Sequence, residues 1–134
     1  MKKILLPVDG SERSEQAIKW VLSRYKPEDY ELVLMIVRED YDEIRCVERR
    51  EEVKEETLAI IKPFADQLKD FKLETKIIFG RAGDEIVGYA HDNNVDMIVM
   101  TKSTKPGIIK MIGSVSSHVV KNANCVVVIV PENN

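Results

Sequence analysis

Residues suited to binding phosphate are concentrated between positions 95 and 131. An apolar run at 95–100 is followed by a loop, and Gly113 and Ser114 then begin a stretch with helical spacing. A helix that begins with Gly-Ser directly after a loop presents unpaired backbone N–H groups and the positive end of its dipole. Both favour an anion. This segment therefore predicts a phosphate site at the N-terminus of a helix.

The loop before that helix adds small, hydroxyl-bearing and cationic residues. It begins Thr101-Lys102-Ser103-Thr104-Lys105-Pro106-Gly107. Lys102, Lys105 and Lys110 could neutralise phosphate charge, and the small residues would let backbone approach it closely. Lysine-rich loops are also common on protein surfaces, and a Gly-Ser helix start is often only a cap. The residues alone leave both interpretations open.

A second candidate is Asp9, which directly follows another apolar run, 2–8. In Pro7-Val8-Asp9-Gly10 its carboxylate could accept hydrogen bonds from a ribose or a base. It could equally hold its own turn as an Asx motif, in which the side chain accepts from a backbone N–H two residues on. Both roles stay open at this point.

Catalytic chemistry has little support in the sequence. His91 is expected at the solvated end of a helix, and His118, which lies among valines, is expected in a packed or interface face rather than as a general base. Cys46 and Cys125 are too few for a disulfide framework and lack metal-ligand spacing, so we expect reduced thiols. No phosphate loop of the Walker type is present. We therefore expect no enzymatic activity and no metal site.

The elements that must position these residues follow from hydrophobic spacing. The predicted strands are 2–8, 31–37, 73–79, 95–100 and 125–130. The predicted helices are 12–25, a second that follows a charged loop at 38–56 and ends near 69, a third that begins at Asp84 and closes at Asn93-Asn94, and a fourth at 114–121. Strands that alternate with helices predict a doubly wound parallel sheet.

Several details of these elements are also predicted. Ser11 or a neighbour is placed to cap the first helix, and Asp84 to cap the third. Pro63 is expected to kink or break the second helix. The Glu- and Arg-rich run at 48–56 is expected to be a solvated face. Strand 73–79 is more polar than the others and is predicted to lie at an edge of the sheet.

The bulk properties are those of one soluble globular domain spanning 1–134. The chain has 134 residues and a mass of 15.3 kDa, which suffices for a core of its own. Its apolar runs are too short to cross a bilayer, so no membrane segment is expected. A net charge of -3 argues against a dedicated nucleic-acid binder. The N-terminus is interpreted as a strand of a cytoplasmic protein, because Asp9 interrupts its apolar run.

These landmarks, in their order and spacing, resemble the universal stress protein family over essentially the whole chain. The matching stretches are Lys3-Ile4-Leu5-Leu6-Pro7-Val8-Asp9-Gly10-Ser11, Gly83-Asp84-Glu85-Ile86, Val95-Asp96-Met97-Ile98-Val99-Met100, Gly113-Ser114-Val115-Ser116 and Asn124-Cys125-Val126-Val127-Val128-Ile129-Val130-Pro131. The resemblance implies an α/β fold with an open sheet of five parallel strands in the order 3-2-1-4-5, of the adenine nucleotide alpha-hydrolase-like type. It also implies a homodimer formed by pairing of the fifth strands, from Cys125 to Val130.

Many members of this family bind ATP, and the resemblance assigns the corresponding positions here. Pro7, Val8 and Asp9 would lie beside the adenine and ribose, Ile36 at the adenine and Met100 beside the loop. Gly113, Ser114, Val115 and Ser116 would hold the phosphates. The implied ligand is ATP or AMP, with Mg²⁺ if ATP binds.

The sequence departs from the family's ATP pattern at two glycines. Thr101 and Thr104 occupy those positions, and eight rather than nine residues separate Thr104 from Gly113. A β-branched residue adds bulk and disfavours positive φ, so backbone cannot lie as closely against a triphosphate.

The sequence thus predicts a non-enzymatic stress-response homodimer with a degenerate nucleotide pocket, acting through contacts with an unidentified protein partner. The alternative is an ATP or AMP sensor whose ligand orders the loop at 101–112. A more remote alternative is a nucleotide-hydrolysing enzyme.

Overall fold

Residues 1–39, 47–101 and 114–131 are described by the computed structural model. They form strands β1 (Lys2–Val8), β2 (Tyr30–Arg38), β3 (Lys72–Phe79), β4 (Met97–Thr101) and β5 (Val126–Val130). The helices are α1 (Ser14–Arg24), α2 (Val47–Gln67), α3 (Ala82–Asp92) and α4 (Ser114–Asn122). The strands are parallel and lie in the order β3-β2-β1-β4-β5. The predicted fold class and strand order are confirmed.

The central strand carries apolar side chains on both of its faces. Ile4, Leu6 and Val8 pack on one face with residues of α1 and α2. Leu5 packs on the other face with residues of α3 and α4, including Val119. Successive strand residues point to opposite faces, so a strand covered on both sides must be apolar at nearly every position. Each fully buried Leu or Ile contributes about 1.5–3 kcal/mol to the stability of the fold.

Helix α1 begins without the predicted serine cap. Its N-cap residue is Arg13, which has helical backbone angles and makes no side-chain cap hydrogen bond. The backbone N–H of Ser14 instead donates to the carbonyl of Ser11 at 3.1 Å, so a tight backbone turn leads into the helix. The prediction that Ser11 or a neighbour caps α1 through its side chain is wrong, because the N-cap residue Arg13 makes no such bond and the Ser11 hydroxyl donates to Asp9 instead.

Helix α2 begins earlier than predicted, because much of the charged segment is itself helical. Glu, Lys and Arg are good helix formers. The helix buries Val53, Thr57 and Ile61 on one side. The hydroxyl of Thr57 accepts from Arg38 at 2.8 Å, which fastens this half of α2 to the end of β2. The predicted loop at 38–56 is therefore wrong from position 47 onward. Of the kink or break predicted at Pro63, the break is absent, because α2 continues through that residue.

Helix α3 is capped from a distant part of the chain. It begins at Ala82, so Asp84 lies in its first turn and not at its cap. The backbone N–H of Ala82 donates to Oε1 of Glu39 at 2.8 Å. The prediction that Asp84 caps α3 is wrong, because a carboxylate that follows β2 takes that role. At the other end, Asn94 adopts a positive φ of 52°, as expected of a residue that closes a helix.

The two edges of the sheet differ in polarity. Strand β3 lies at one edge, as predicted, and carries an ion pair between Glu74 and Lys76 at 2.9 Å. Strand β5 lies at the other edge and is apolar throughout, with Val126 at its exposed end. None of the described helices is long and apolar enough to cross a membrane.

Candidate functional site

A cleft opens where the carboxyl ends of β1 and β4 lie side by side. The described residues around it enclose about 100 Å³. Its lining residues are Pro7, Val8, Asp9, Val37, Ala82, Ile86, Met100, Thr101 and Val115. Strand order reverses between β1 and β4, and open α/β sheets bind ligands at that point. The cleft brings together six of the residues predicted from the sequence, namely Pro7, Val8, Asp9, Met100, Thr101 and Val115.

Asp9 directly follows β1, and its carboxylate accepts hydrogen bonds from the next residues of the chain. Its Oδ1 accepts from the backbone N–H and the hydroxyl of Ser11 and from the hydroxyl of Ser14, and its Oδ2 accepts from Arg13 at 3.2 Å. Burial raises the pKa of Asp9, but the hydrogen bonds from these three residues outweigh it, and the pKa lies below the ordinary 3.8. The bond from the Ser11 N–H is the predicted Asx turn. The side chain remains 52% exposed, so it stays accessible to a ligand.

Gly10 allows the loop after Asp9 to pass close to α2. Its φ is +82°, and a Cβ atom there would lie 2.7 Å from Cγ2 of Ile60. Both the backbone conformation and the close approach favour glycine at this position. Gly10 therefore lets the turn that follows Asp9 pack directly against α2.

Ile36 and Val37, near the end of β2, lie on opposite faces of the sheet. Ile36 is buried in the cluster with α1 and α2, away from the cleft. Its neighbour Val37 lines the cleft with Ala82 and Ile86 of α3. Ile36 was the residue predicted for this position, and Val37, Ala82 and Ile86 were not predicted. The two-residue period of a strand could have identified Val37, because Val33 and Met35 share its face.

The first turn of α4 forms another wall. Val115 lines the cleft, Ser114 is exposed, and Ser116 is fully buried. The Ser116 hydroxyl has no hydrogen-bond partner among the described residues. The other residues predicted to hold phosphate lie outside the described residues, and these are Lys102, Thr104, Lys105, Lys110 and Gly113.

A second groove lies beside the cleft, between the first turns of α3 and α4. Its lining residues are Glu39, Arg81, Gly83, Asp84, Ser114, Val115 and His118. Val115 therefore lines both the groove and the cleft. Nε2 of His118 lies 3.0 Å from Oδ1 of Asp84. This contact was not predicted from the sequence, because the two residues are 34 positions apart in the chain.

The cleft offers apolar walls around two polar side chains. Val37, Ile86 and Val115 can enclose a flat apolar group such as a base. Asp9 can accept hydrogen bonds from ligand hydroxyl groups, and the Thr101 hydroxyl can donate or accept them. Among residues 1–39, 47–101 and 114–131, no three His, Cys, Asp or Glu side chains are grouped to hold a metal ion.

Comparison with known proteins gives one consistent family. The model of the universal stress protein family matches residues 1–131. Universal stress protein MJ0531 of Methanocaldococcus jannaschii is 31% identical over 139 residues, which cover 96% of this chain and 81% of that protein.

Solved structures of the same family share the fold. The structure of MJ0577, also from Methanocaldococcus jannaschii, is similar with a TM-score of 0.85 and 33% identity, covering 99% of this chain and 97% of that one. A universal stress protein family protein from Arabidopsis thaliana, solved with AMP bound, has a TM-score of 0.75 and 20% identity, covering 99% and 93% of the two chains. At that identity the likeness to the Arabidopsis protein is one of fold.

Proposed function

This chain belongs to the universal stress protein family, and we propose that it is a non-enzymatic stress-response homodimer that binds an adenosine monophosphate in the cleft between β1 and β4. The observation that carries the proposal is the cleft itself. It lies at the reversal of strand order, and six residues predicted from the sequence to lie at the nucleotide site line it, among them Thr101 at a position where the family's ATP pattern has glycine. The Arabidopsis relative of the same fold was solved with AMP.

The residue at the end of β4 favours a monophosphate over a triphosphate. Thr101 lines the cleft at a position where the family's ATP pattern has glycine. Its β-branched side chain fills space that a chain of phosphates would need, and it disfavours the backbone angles that glycine permits. A single phosphate needs only the N–H groups at the start of α4. ATP with Mg²⁺ is the less favoured ligand.

The acid and base groups near the cleft support binding rather than turnover. Hydrogen bonds from Ser11, Ser14 and Arg13 lower the pKa of Asp9, so its carboxylate is a weak base that can still accept hydrogen bonds from a ligand. His118 contacts Asp84, and His91 is exposed near the opposite end of α3. We propose that the loaded and empty forms present different surfaces to a protein partner, and that signalling depends on this population shift.

The apolar edge of the sheet supports a homodimer. All of β5 is apolar, and the side chain of Val126 is 57% exposed. Such an edge is a template for pairing with another chain, and β3 at the opposite edge carries the charges that prevent it. Pairing of the 125–130 segment with its copy would bury this edge.

Calorimetric titration of ligand-free protein with AMP, ADP and ATP tests the proposed ligand. AMP has about 23 non-hydrogen atoms, and at about 0.3 kcal/mol per atom it should bind with a Kd of about 10 µM. We expect weaker binding as phosphates are added. Absence of heat and of a thermal shift at millimolar AMP would refute the proposed function.

Two tryptophan substitutions in α4 locate the binding site. Val115→Trp fills the cleft and should abolish AMP binding, whereas Ser117→Trp introduces the same side chain at an exposed position and should leave binding intact. Circular dichroism and urea denaturation would show that both variants fold. Equal AMP affinity in the two variants would place the ligand elsewhere.

A further inference from the structure

The contact between α3 and α4 beside the cleft is unusually close. Nε2 of His118 lies 3.0 Å from Oδ1 of Asp84. The same imidazole covers Gly83, where a Cβ atom would lie 2.8 Å from its Cδ2 and 2.9 Å from its Cγ. Only a residue without a side chain lets the ring pack directly on the first turn of α3. We call this set of residues, Gly83, Asp84 and His118, the α3–α4 contact.

The α3–α4 contact lies next to the residues that would meet the nucleotide. His118 is one helical turn after Ser114 and three residues after Val115, so all three lie on adjacent rows of α4. Ser114, Val115 and His118 line the same groove, and Val115 also lines the cleft. A rotation of α4 that moved His118 would therefore move the cleft wall.

Helix α4 has few polar side-chain contacts with other elements of the described structure. Within residues 1–39, 47–101 and 114–131, the His118–Asp84 pair is the one side-chain ion pair or hydrogen bond that joins α4 to another element. Its remaining attachment is apolar packing, with Val119 fully buried. That packing already restricts how α4 can turn, and the His118–Asp84 contact adds a directional restraint at the first turns of the two helices.

We propose that His118 is a positioning residue, whose contact with Gly83 and Asp84 sets the orientation of the first turn of α4 and thereby the nucleotide affinity of the cleft. This inference rests on the proposed function. His118 need not touch the ligand. It holds Val115 against the cleft and aims the N–H groups at the start of α4.

Titration with AMP tests the effect on the ligand. His118→Ala should weaken AMP binding by about fivefold or more, which is within the usual range for residues that act through others. His118→Gln should restore affinity to within about twofold, because its Nε2 can donate to Asp84. His91→Ala removes the other histidine, which is exposed and away from the cleft, and should leave the affinity unchanged.

Amide hydrogen exchange of the ligand-free protein tests the seating of α4 without any nucleotide. Gly83→Ala pushes the imidazole away and leaves the sequence of α4 intact, so the amides of Val119 and Val120 should exchange about tenfold faster. Gly88→Ala adds the same methyl group to α3 where no atom lies within 4 Å and should change nothing in α4.

The two measurements separate the possible failures. Unchanged exchange in folded Gly83→Ala, or wild-type AMP affinity in His118→Ala, overturns the positioning role. If the wild-type protein does not bind AMP, the proposed function fails, and faster exchange in Gly83→Ala alone would still support the orientation of α4 by His118.

Discussion

Ser14 and Asp9 form a closed pair of hydrogen bonds at the edge of the cleft. The Ser14 hydroxyl donates to Oδ1 of Asp9 at 2.9 Å and accepts from the Asp9 backbone N–H at 3.1 Å. This pair ties the first residue of α1 to the end of β1. These two bonds therefore hold the turn between Asp9 and Ser14 at both of its ends.

Removing that hydroxyl should destabilise the fold. Ser14 is 1% exposed, and Ser14→Ala removes both of its part-buried hydrogen bonds to Asp9, so it should lower the free energy of unfolding by about 1–3 kcal/mol. Ser23→Ala removes an exposed hydroxyl of the same helix and should stay within about 0.5 kcal/mol. Urea denaturation compares the two. Equal stability of both variants would mean that the pair contributes nothing.

The ionised form of Asp9 should stabilise the protein only above acid pH. Burial raises its pKa, but the hydrogen bonds from Ser11, Ser14 and Arg13 together outweigh burial and lower the pKa below 3.8. Since the folded pKa is lower than the unfolded one, this stabilisation is present above about pH 4 and is lost as the pH falls through the folded pKa. The difference in unfolding free energy between the wild type and Asp9→Asn should narrow below about pH 4. A constant difference across the acid range would contradict this.

The same substitution at two glycines should have opposite effects. Gly10→Ala forces a side chain into φ +82° and against Ile60, and should destabilise the protein by about 1–3 kcal/mol. Gly88 lies inside α3 with open space around it, so Gly88→Ala should stabilise by up to about 1 kcal/mol. Thermal unfolding of both variants is the measurement. A lower melting temperature for Gly88→Ala than for the wild type would show that the added methyl group does not fit there without a clash.

A charge on the apolar edge should shift the protein from dimer to monomer. Val126→Lys places an ammonium group on β5 where pairing with a second copy would have to bury it. Leu58→Lys makes the same change at an exposed apolar position of α2 and should leave the dimer intact. Sedimentation velocity at matched concentrations distinguishes the two outcomes. A wild-type protein that is monomeric at all concentrations would end the homodimer proposal.

The positions of the strands could be predicted because a strand that is buried on both faces has a continuous apolar run in the sequence. The bounds of β1 were predicted without error, since a continuous apolar run ends at Asp9-Gly10. The start of α2 was not, because its charged residues suit either a loop or a helix, and the bond between Arg38 and Thr57 that fastens it joins residues 19 positions apart. Local patterns cannot show such attachments.

The residues of the candidate site at strand ends could be predicted from the sequence, and the helix residues that line its sides could not. Asp9 and Met100 follow from the rule that ligands lie at strand ends. Ala82 and Ile86 reach the cleft because α3 crosses from β3 to β4 over that face of the sheet, which no local motif records. Ile36 and Val37 point to opposite faces of the sheet, so an error of one position in β2 assigns the wrong residue to the cleft.

The hydrogen bond between Ala82 and Glu39 has a consequence for how the cleft assembles. The two residues are 43 positions apart, so a long loop must close before α3 gains its cap. A peptide containing only α3 lacks Glu39 and should fray at the end that carries Ala82. Ala82 therefore takes its place in the cleft only after β2 has joined the sheet. The cleft forms only when the whole domain folds, because no contiguous segment contains all of the residues that shape it.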